Sequence, residues 1–219
     1  MNKIKVILII ASSIDGRIAL PNGGCTSIGS IEDKKLLNES LKQVDATIFG
    51  SGTLKAHKST FLVKNFKKGS HYNLDVKQPI SIVAGNISDF SPQWLYFNQP
   101  IERWLVKKNS DSENDDLEFN KELLFQGTWS KTLELIKKEG IKNIALLGGS
   151  KLVNSFAKEN LIDEIKITIV PKILGGSFEW ISSKNTQSIY GFNNDWIIQS
   201  FKKINTNEIF IHYTRSKRD

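Results

Sequence analysis

Two short stretches carry residue types that seat charge. Gly148-Gly149-Ser150 follows the apolar run Ile144-Ala145-Leu146-Leu147 and precedes a helical pattern of Leu152, Phe156 and Leu161. Gly50-Ser51-Gly52-Thr53 follows Thr47-Ile48-Phe49 in the same way. A strand that runs through glycines into a helix presents free backbone N–H groups at the helix's positive end, a seat for a phosphate or another anion. The same turn can also be a plain bend that binds nothing. Two such turns favour a ligand with more than one phosphate. Neither is the GxGxxG dinucleotide fingerprint or a P-loop, which disfavours an ordinary Rossmann domain or an NTPase. Ser12, Ser13, Asp15, Cys25 and Ser27 follow another apolar run, residues 5–11. Ligands of open α/β sheets bind beyond the carboxyl ends of strands, so these residues lie where a site can form. His57, four residues after Thr53, is able to give a proton to a reduced product; it can equally be a surface histidine. The sequence has no nucleophile–base triad and no metal-ligand cluster.

These residues need strands and helices to hold them. Residues 5–11 read as a central strand, apolar throughout. Ser30, with Asp33 three residues on, reads as a helix N-cap, followed by a stripe of Leu36, Leu37, Leu41 and Val44. Strands are expected at 45–50, 79–85 and 102–106. Residues 64–78 read as a polar surface excursion, and 109–120 as an acidic loop. Residues 92–100 read as a loop whose Trp94, Tyr96 and Phe97 cover a core. Residues 128–140 fit an amphipathic helix closed by Gly140. Ile165, Ile167 and Ile169 alternate with polar residues, as a strand does. Residues 177–194 look irregular. Residues 196–204 and 208–214, joined by Asn205-Thr206-Asn207, fit a hairpin. Strand–helix alternation that ends in an antiparallel pair predicts a mixed, mainly parallel sheet with helices on both faces.

The chain of 219 residues suits a single domain, 1–219, with a sizeable core. No apolar run approaches the roughly 18 residues of a membrane helix. One cysteine excludes an internal disulfide and makes a reducing cytoplasm the expectation. The net charge of +7 raises the question of nucleic acid. The lysines are spread along the chain and no recognition motif accompanies them, so a small anionic ligand is the better reading.

Several pieces, in order, resemble one family: residues 11–19 (ASSIDGRIA), 45–53 (DATIFGSGT), 148–152 (GGSKL), 161–165 (LIDEI) and 171–176 (PKILGG). The family is the reductase domain of riboflavin biosynthesis, the RibD C-terminal domain, which has a dihydrofolate-reductase-like, three-layer α/β fold. The resemblance implies an NADPH-dependent reductase without the deaminase domain often fused ahead of it. Its reaction is hydride transfer to the ring-opened ribosyl group of a phosphorylated pyrimidine. It implies a cytoplasmic homodimer. For the cofactor it implies contacts at Ala11, Ser27 and Thr53 and a pyrophosphate loop of Gly148, Gly149, Ser150, Lys151 and Leu152, with the adenosine 2′-phosphate near 85–88. On the substrate side the chain departs from the pattern. Cys25 stands where a serine is common, Leu41 where an arginine is usual, His57-Lys58-Ser59 where Asp-Asp-Pro is frequent, and Leu147 where an acid is expected. Lys64 matches a phosphate-binding arginine, as a point charge without bidentate geometry. These departures leave open a reductase of the same fold with another small substrate, such as a pterin or carbonyl compound, or a nucleotide-binding protein without turnover.

Overall fold

The computed structural model describes residues 3–24, 27–66, 72–73, 76–108, 116–181 and 196–216. The first strand, β1 (Lys5–Ser13), buries Val6, Ile7 and Leu8, so apolar side chains line both faces as a central strand requires. Helix α1 (Ile31–Leu41) is capped by Ser30, whose hydroxyl accepts the Asp33 N–H. Of the expected stripe, Leu41 and Val44 are buried and Leu37 packs beside them, while Leu36 is only partly covered; two polar residues, Asn38 and Ser40, are buried as well. Both polar side chains have partners, Asn38 in the backbone at Lys64 and Ser40 in the Lys166 ammonium. The chain continues through β2 (Ala46–Gly50), α2 (Ser51–His57), β3 (Asn65–Phe66), β4 (Tyr72–Asn73) and β5 (Ile80–Ala84). Next come α3 (Leu95–Asn98), β6 (Arg103–Lys107), β7 (Lys121–Leu124), α4 (Trp129–Lys138) and β8 (Asn143–Leu146). The last elements are α5 (Ser150–Lys158), β9 (Glu164–Val170), β10 (Trp196–Lys203) and β11 (Ile209–Arg215).

Among the described residues nine strands form one sheet in the order β10-β11-β9-β1-β8-β2-β5-β6-β7. The pairs from β9 to β7 are parallel, and β11 pairs antiparallel with β9 and β10. The expected sheet and C-terminal hairpin are therefore present. Three details differ from the sequence reading. A two-stranded ladder of β3 and β4 interrupts the excursion at 64–78. One turn of helix, α3, lies inside the loop at 92–100, where Tyr96 is fully buried as expected of a core aromatic. An unexpected edge strand, β7, follows residues 109–115, which lie outside the described residues.

The core has three apolar clusters. The largest packs Trp129, Leu133 and Ile136 of α4 and Leu152, Val153 and Phe156 of α5 against Val6, Leu8, Ile48 and Ile144. Full burial of each such side chain contributes roughly 1.5–3 kcal/mol. Alternation along the strands sends Ile7 and Phe49 to the opposite face, where two separate clusters form. One, with Leu54 and Tyr96, lies over β2, β5 and β6. The other, with Leu41, Val44 and Val63, lies over β1 and β8. Leu147 packs against both.

Candidate active site

The parallel strands put their carboxyl ends along one edge, and β8 stops short of its neighbour β1 there. Its pairing with β1 stops at Leu8–Leu146, whereas β1 continues along β9 as far as Ser13–Val170. Past Leu146 the chain turns toward β2: the Leu147 N–H donates to the Ile48 carbonyl (2.9 Å) and the Gly50 N–H to the Gly148 carbonyl (3.0 Å). Beyond Leu8–Leu146, β1 has no paired strand on its β8 side among the described residues, and the space between its end and the Gly148–Gly149 turn is termed the slot. This is the position outside the carboxyl ends where open α/β sheets bind ligands.

The two glycine turns meet at this slot. Gly50 and Gly149 are the N-caps of α2 and α5, and neither supplies a side-chain cap. Among the described residues no side chain caps the first N–H groups of α5, which lie at the positive end of the helix. Space is short at one of the glycines. A Cβ on Gly149 would stand 3.2 Å from the Thr53 hydroxyl, a tight contact, whereas one on Gly50 would stand at an ordinary 3.9 Å from the Gly149 nitrogen. Gly148 has φ +100°, in the region that favours glycine, and the Gly148–Gly149 peptide is cis. Thr53, Gly149 and the start of α5 at Ser150 form one surface; Leu152 is buried behind it and Lys151 is exposed.

His57 is one helical turn beyond Thr53, so the two share a face of α2. The ring reaches solvent, yet the protein around it desolvates it enough to lower its pKa. It is therefore neutral at pH 7. Ala11 lies on the β1 side of the slot. Ser27 is exposed, and Cys25 lies outside the described residues. Leu147 is partly buried between the two clusters of the α1 face, with no charge to offer a substrate.

Leu41 is 1% exposed and packs with Ile7, Val44, Val63 and Ala145 in an apolar cluster. Lys64 follows Val63 there. Its backbone is clasped by Asn38, whose carboxamide accepts the Lys64 N–H (2.8 Å) and donates to the Lys64 carbonyl (2.9 Å). Gln78 holds Val63 and Gln99 holds Thr60 in the same two-handed way. Nothing in the sequence pattern marks these three amides, because backbone recognition by a carboxamide has no required spacing.

The loop leaving β1 has its own network. The Asp15 carboxylate accepts the Ser13 hydroxyl (2.5 Å) and the N–H groups of Gly175 (2.7 Å) and Leu174 (3.1 Å). The Ser13 and Gly175 bonds foremost hold its pKa down at about 2. The Ser13 oxygen accepts the Arg17 N–H, and Arg17 pairs with Glu179 at 2.6 Å. On the other side of α1's start, the buried Glu208 accepts the Ser30 hydroxyl at 2.5 Å. Burial, then the Glu208 charge, raises the pKa of Asp33 despite a bond from Thr168.

The chain and its fold match known ones. The family model described as the RibD C-terminal domain covers residues 4–204. The chain belongs to that family. The riboflavin biosynthesis protein RibD of Buchnera aphidicola subsp. Baizongia pistaciae is 31% identical over 181 residues, which is 77% of this chain and 48% of that one. The chain thus spans about half the length of that relative. The 2,5-diamino-6-ribosylamino-4(3H)-pyrimidinone 5′-phosphate reductase of Methanothermobacter thermautotrophicus is 27% identical over 177 residues, covering 78% and 79% of the two chains. Among solved structures, a pyrimidine reductase-like protein from Corynebacterium diphtheriae superposes with a TM-score of 0.78 at 14% identity, over 99% of this chain and 94% of the other. A dihydrofolate reductase from Enterococcus faecalis, complexed with NADP(H), superposes with a TM-score of 0.56 at 12% identity, over 97% of each. The likeness shows a dihydrofolate-reductase-like fold. No helix among the described residues is long and apolar enough to cross a membrane. Among the same residues no group of three or more His, Cys, Asp or Glu is placed to hold a metal ion.

Proposed function

We propose that this chain is an NADPH-dependent reductase of a phosphorylated ribosylamino-pyrimidine, in one domain that spans residues 1–219. The observation that carries the reading is the pair of glycine turns brought together at the mouth of the slot, in a chain of this family. The residues present fit a dinucleotide. The N–H groups at the start of α5, with the Thr53 hydroxyl, would hold the pyrophosphate, and Ala11 would line the slot for the nicotinamide. Ser27 and the residues from Gly85 to Ser88 would take more peripheral contacts. Bound NADPH would supply a hydride to the carbon of the ring-opened ribosyl imine, the matching proton going to the imine nitrogen. The protein's own part is position, and exclusion of water by the walls of the slot. His57 is the nearest titratable group on the Thr53 face of α2 and would hold that proton at an imidazole nitrogen. Cys25, Lys64 and Leu147 would lie on the substrate side.

A second reading keeps the fold and the cofactor but changes the substrate. Leu41 is sealed in an apolar cluster and Leu147 offers no carboxylate. A smaller or less charged acceptor, a pterin or carbonyl compound, would need neither contact. One assay separates the two: loss of NADPH absorbance with 5-amino-6-(5-phosphoribosylamino)uracil and with its 2,5-diamino-pyrimidinone counterpart. Turnover of either supports the first reading. NADPH binding without turnover of both sinks it and leaves the second.

A further inference from the structure

Asp15 stands at the crossing of two loops. The first leaves β1 and runs through Gly16 to Gly24. The second leaves β9 and runs from Pro171 to Ile181. They are laced together by backbone: the Ile14 N–H donates to the Lys172 carbonyl (2.9 Å), the Ile18 N–H to Phe178 (2.8 Å), and the Trp180 N–H to Gly16 (3.2 Å). They also touch closely. A Cβ on Gly23 would come within 2.8 Å of the Phe178 ring, and one on Gly176 within 2.8 Å of Pro21. At the crossing, one carboxylate takes two N–H groups of the second loop and the hydroxyl of the last residue of β1. Charge-assisted bonds of this kind are about twice as strong as neutral ones.

The geometry points to Asp15 as a positioning residue: it fastens the 171–176 loop to the end of β1 and so fixes the β1 wall of the slot, Ala11 to Ser13, for hydride transfer. Asp15 acts through Ser13 and the second loop. The assignment rests on the reductase reading given above. A displacement of about 1 Å in a wall of this kind is enough to cost ~100-fold in rate. The pyrophosphate seat at Thr53 and α5 is built from other elements, so cofactor affinity should barely change.

The test compares wild type with Asp15→Asn, which keeps size but loses charge and one acceptor, and with Ser13→Ala, which removes the hydroxyl while leaving Asp15. Both variants should lower kcat by ~10–100-fold, with the Kd for NADPH within about twofold of wild type. Trypsin cleavage after the exposed Lys172 should be faster in both, and the double variant should be no worse than the worse single one. An inactive wild type overturns the reductase reading and this assignment with it. An active wild type with an unchanged kcat in Asp15→Asn overturns the assignment alone. So does a variant in which kcat, NADPH affinity and Tm all fall together, because that is loss of structure and not of position.

Discussion

At the scale of single residues, the proposed cofactor seat turns on one missing Cβ. Gly149 has φ −72° and ψ −174°, which any residue adopts. Alanine there costs no backbone strain, but its methyl group would press on Thr53 Oγ1 and fill the seat. Gly149→Ala should therefore fold normally and weaken NADPH binding roughly tenfold or more, about 1.4 kcal/mol, in a fluorescence titration. His57 makes a pH prediction of definite sign. Desolvation lowers its pKa, so the proton-holding form grows only as pH falls below the ordinary histidine range near 6.5. If His57 supplies the product's proton, kcat rises on acidification, and His57→Asn gives a flat and low profile. Asp33 bears on stability. Its folded pKa is raised, so the protonated form is favoured on folding. That contribution is complete below the unfolded carboxylate pKa and is lost as pH rises through the folded one. Asp33→Asn should raise the Tm at pH 7 by roughly 2–4 °C, with the gain vanishing in acid.

At the scale of elements, what could be read from the sequence is what has a local cause. The buried run Val6-Ile7-Leu8, the Ser30–Asp33 cap and the amphipathic α4 each follow from periodicity or capping chemistry, and each is where the residues put it. The two glycine turns were legible as turns, but their meeting was not, because β8 enters the sheet between β1 and β2 from far along the chain. Edge strand β7, Lys-Glu-Leu-Leu, is half exposed, so neither alternation nor a continuous apolar run marks it. On α1 the apolar residues Leu41 and Val44 are buried as their spacing implies, but Asn38 looks like a solvent residue and is fully buried. Its importance is long-range: it satisfies both backbone groups of Lys64, 26 positions away. A buried donor or acceptor left unpaired costs about 1–3 kcal/mol. Asn38→Leu should thus lower the unfolding free energy by about 2 kcal/mol in urea with the slope unchanged, whereas Lys34→Ala on the exposed side of the same helix should change it by under about 0.5 kcal/mol.

At the scale of the whole molecule, the sheet ends at two edges of different character. The β7 edge is short and carries Lys121 and Glu122, which is how an edge is blunted. The β10 edge is long, and Ile197, Ile198 and Phe201 are 50%, 53% and 73% exposed, with Ile209 of β11 beside them at 47%. Among the described residues no strand pairs with the outer edge of β10, and an apolar strand of this length is a surface for pairing. Were the chain to form the homodimer that the family resemblance implies, this edge is where a second copy would pair. Strand β10 is four strand spacings from β8 in the sheet order, about 19 Å at ~4.8 Å per spacing. Sites that far apart contribute independently, so assembly and cofactor binding should separate cleanly. Phe201→Lys should shift the sedimentation coefficient from that of a dimer to that of a monomer and leave the Kd for NADPH within about twofold. A wild type that sediments as a monomer would remove the partner from this edge. A Phe201→Lys variant that stays dimeric would move the interface to another part of the surface.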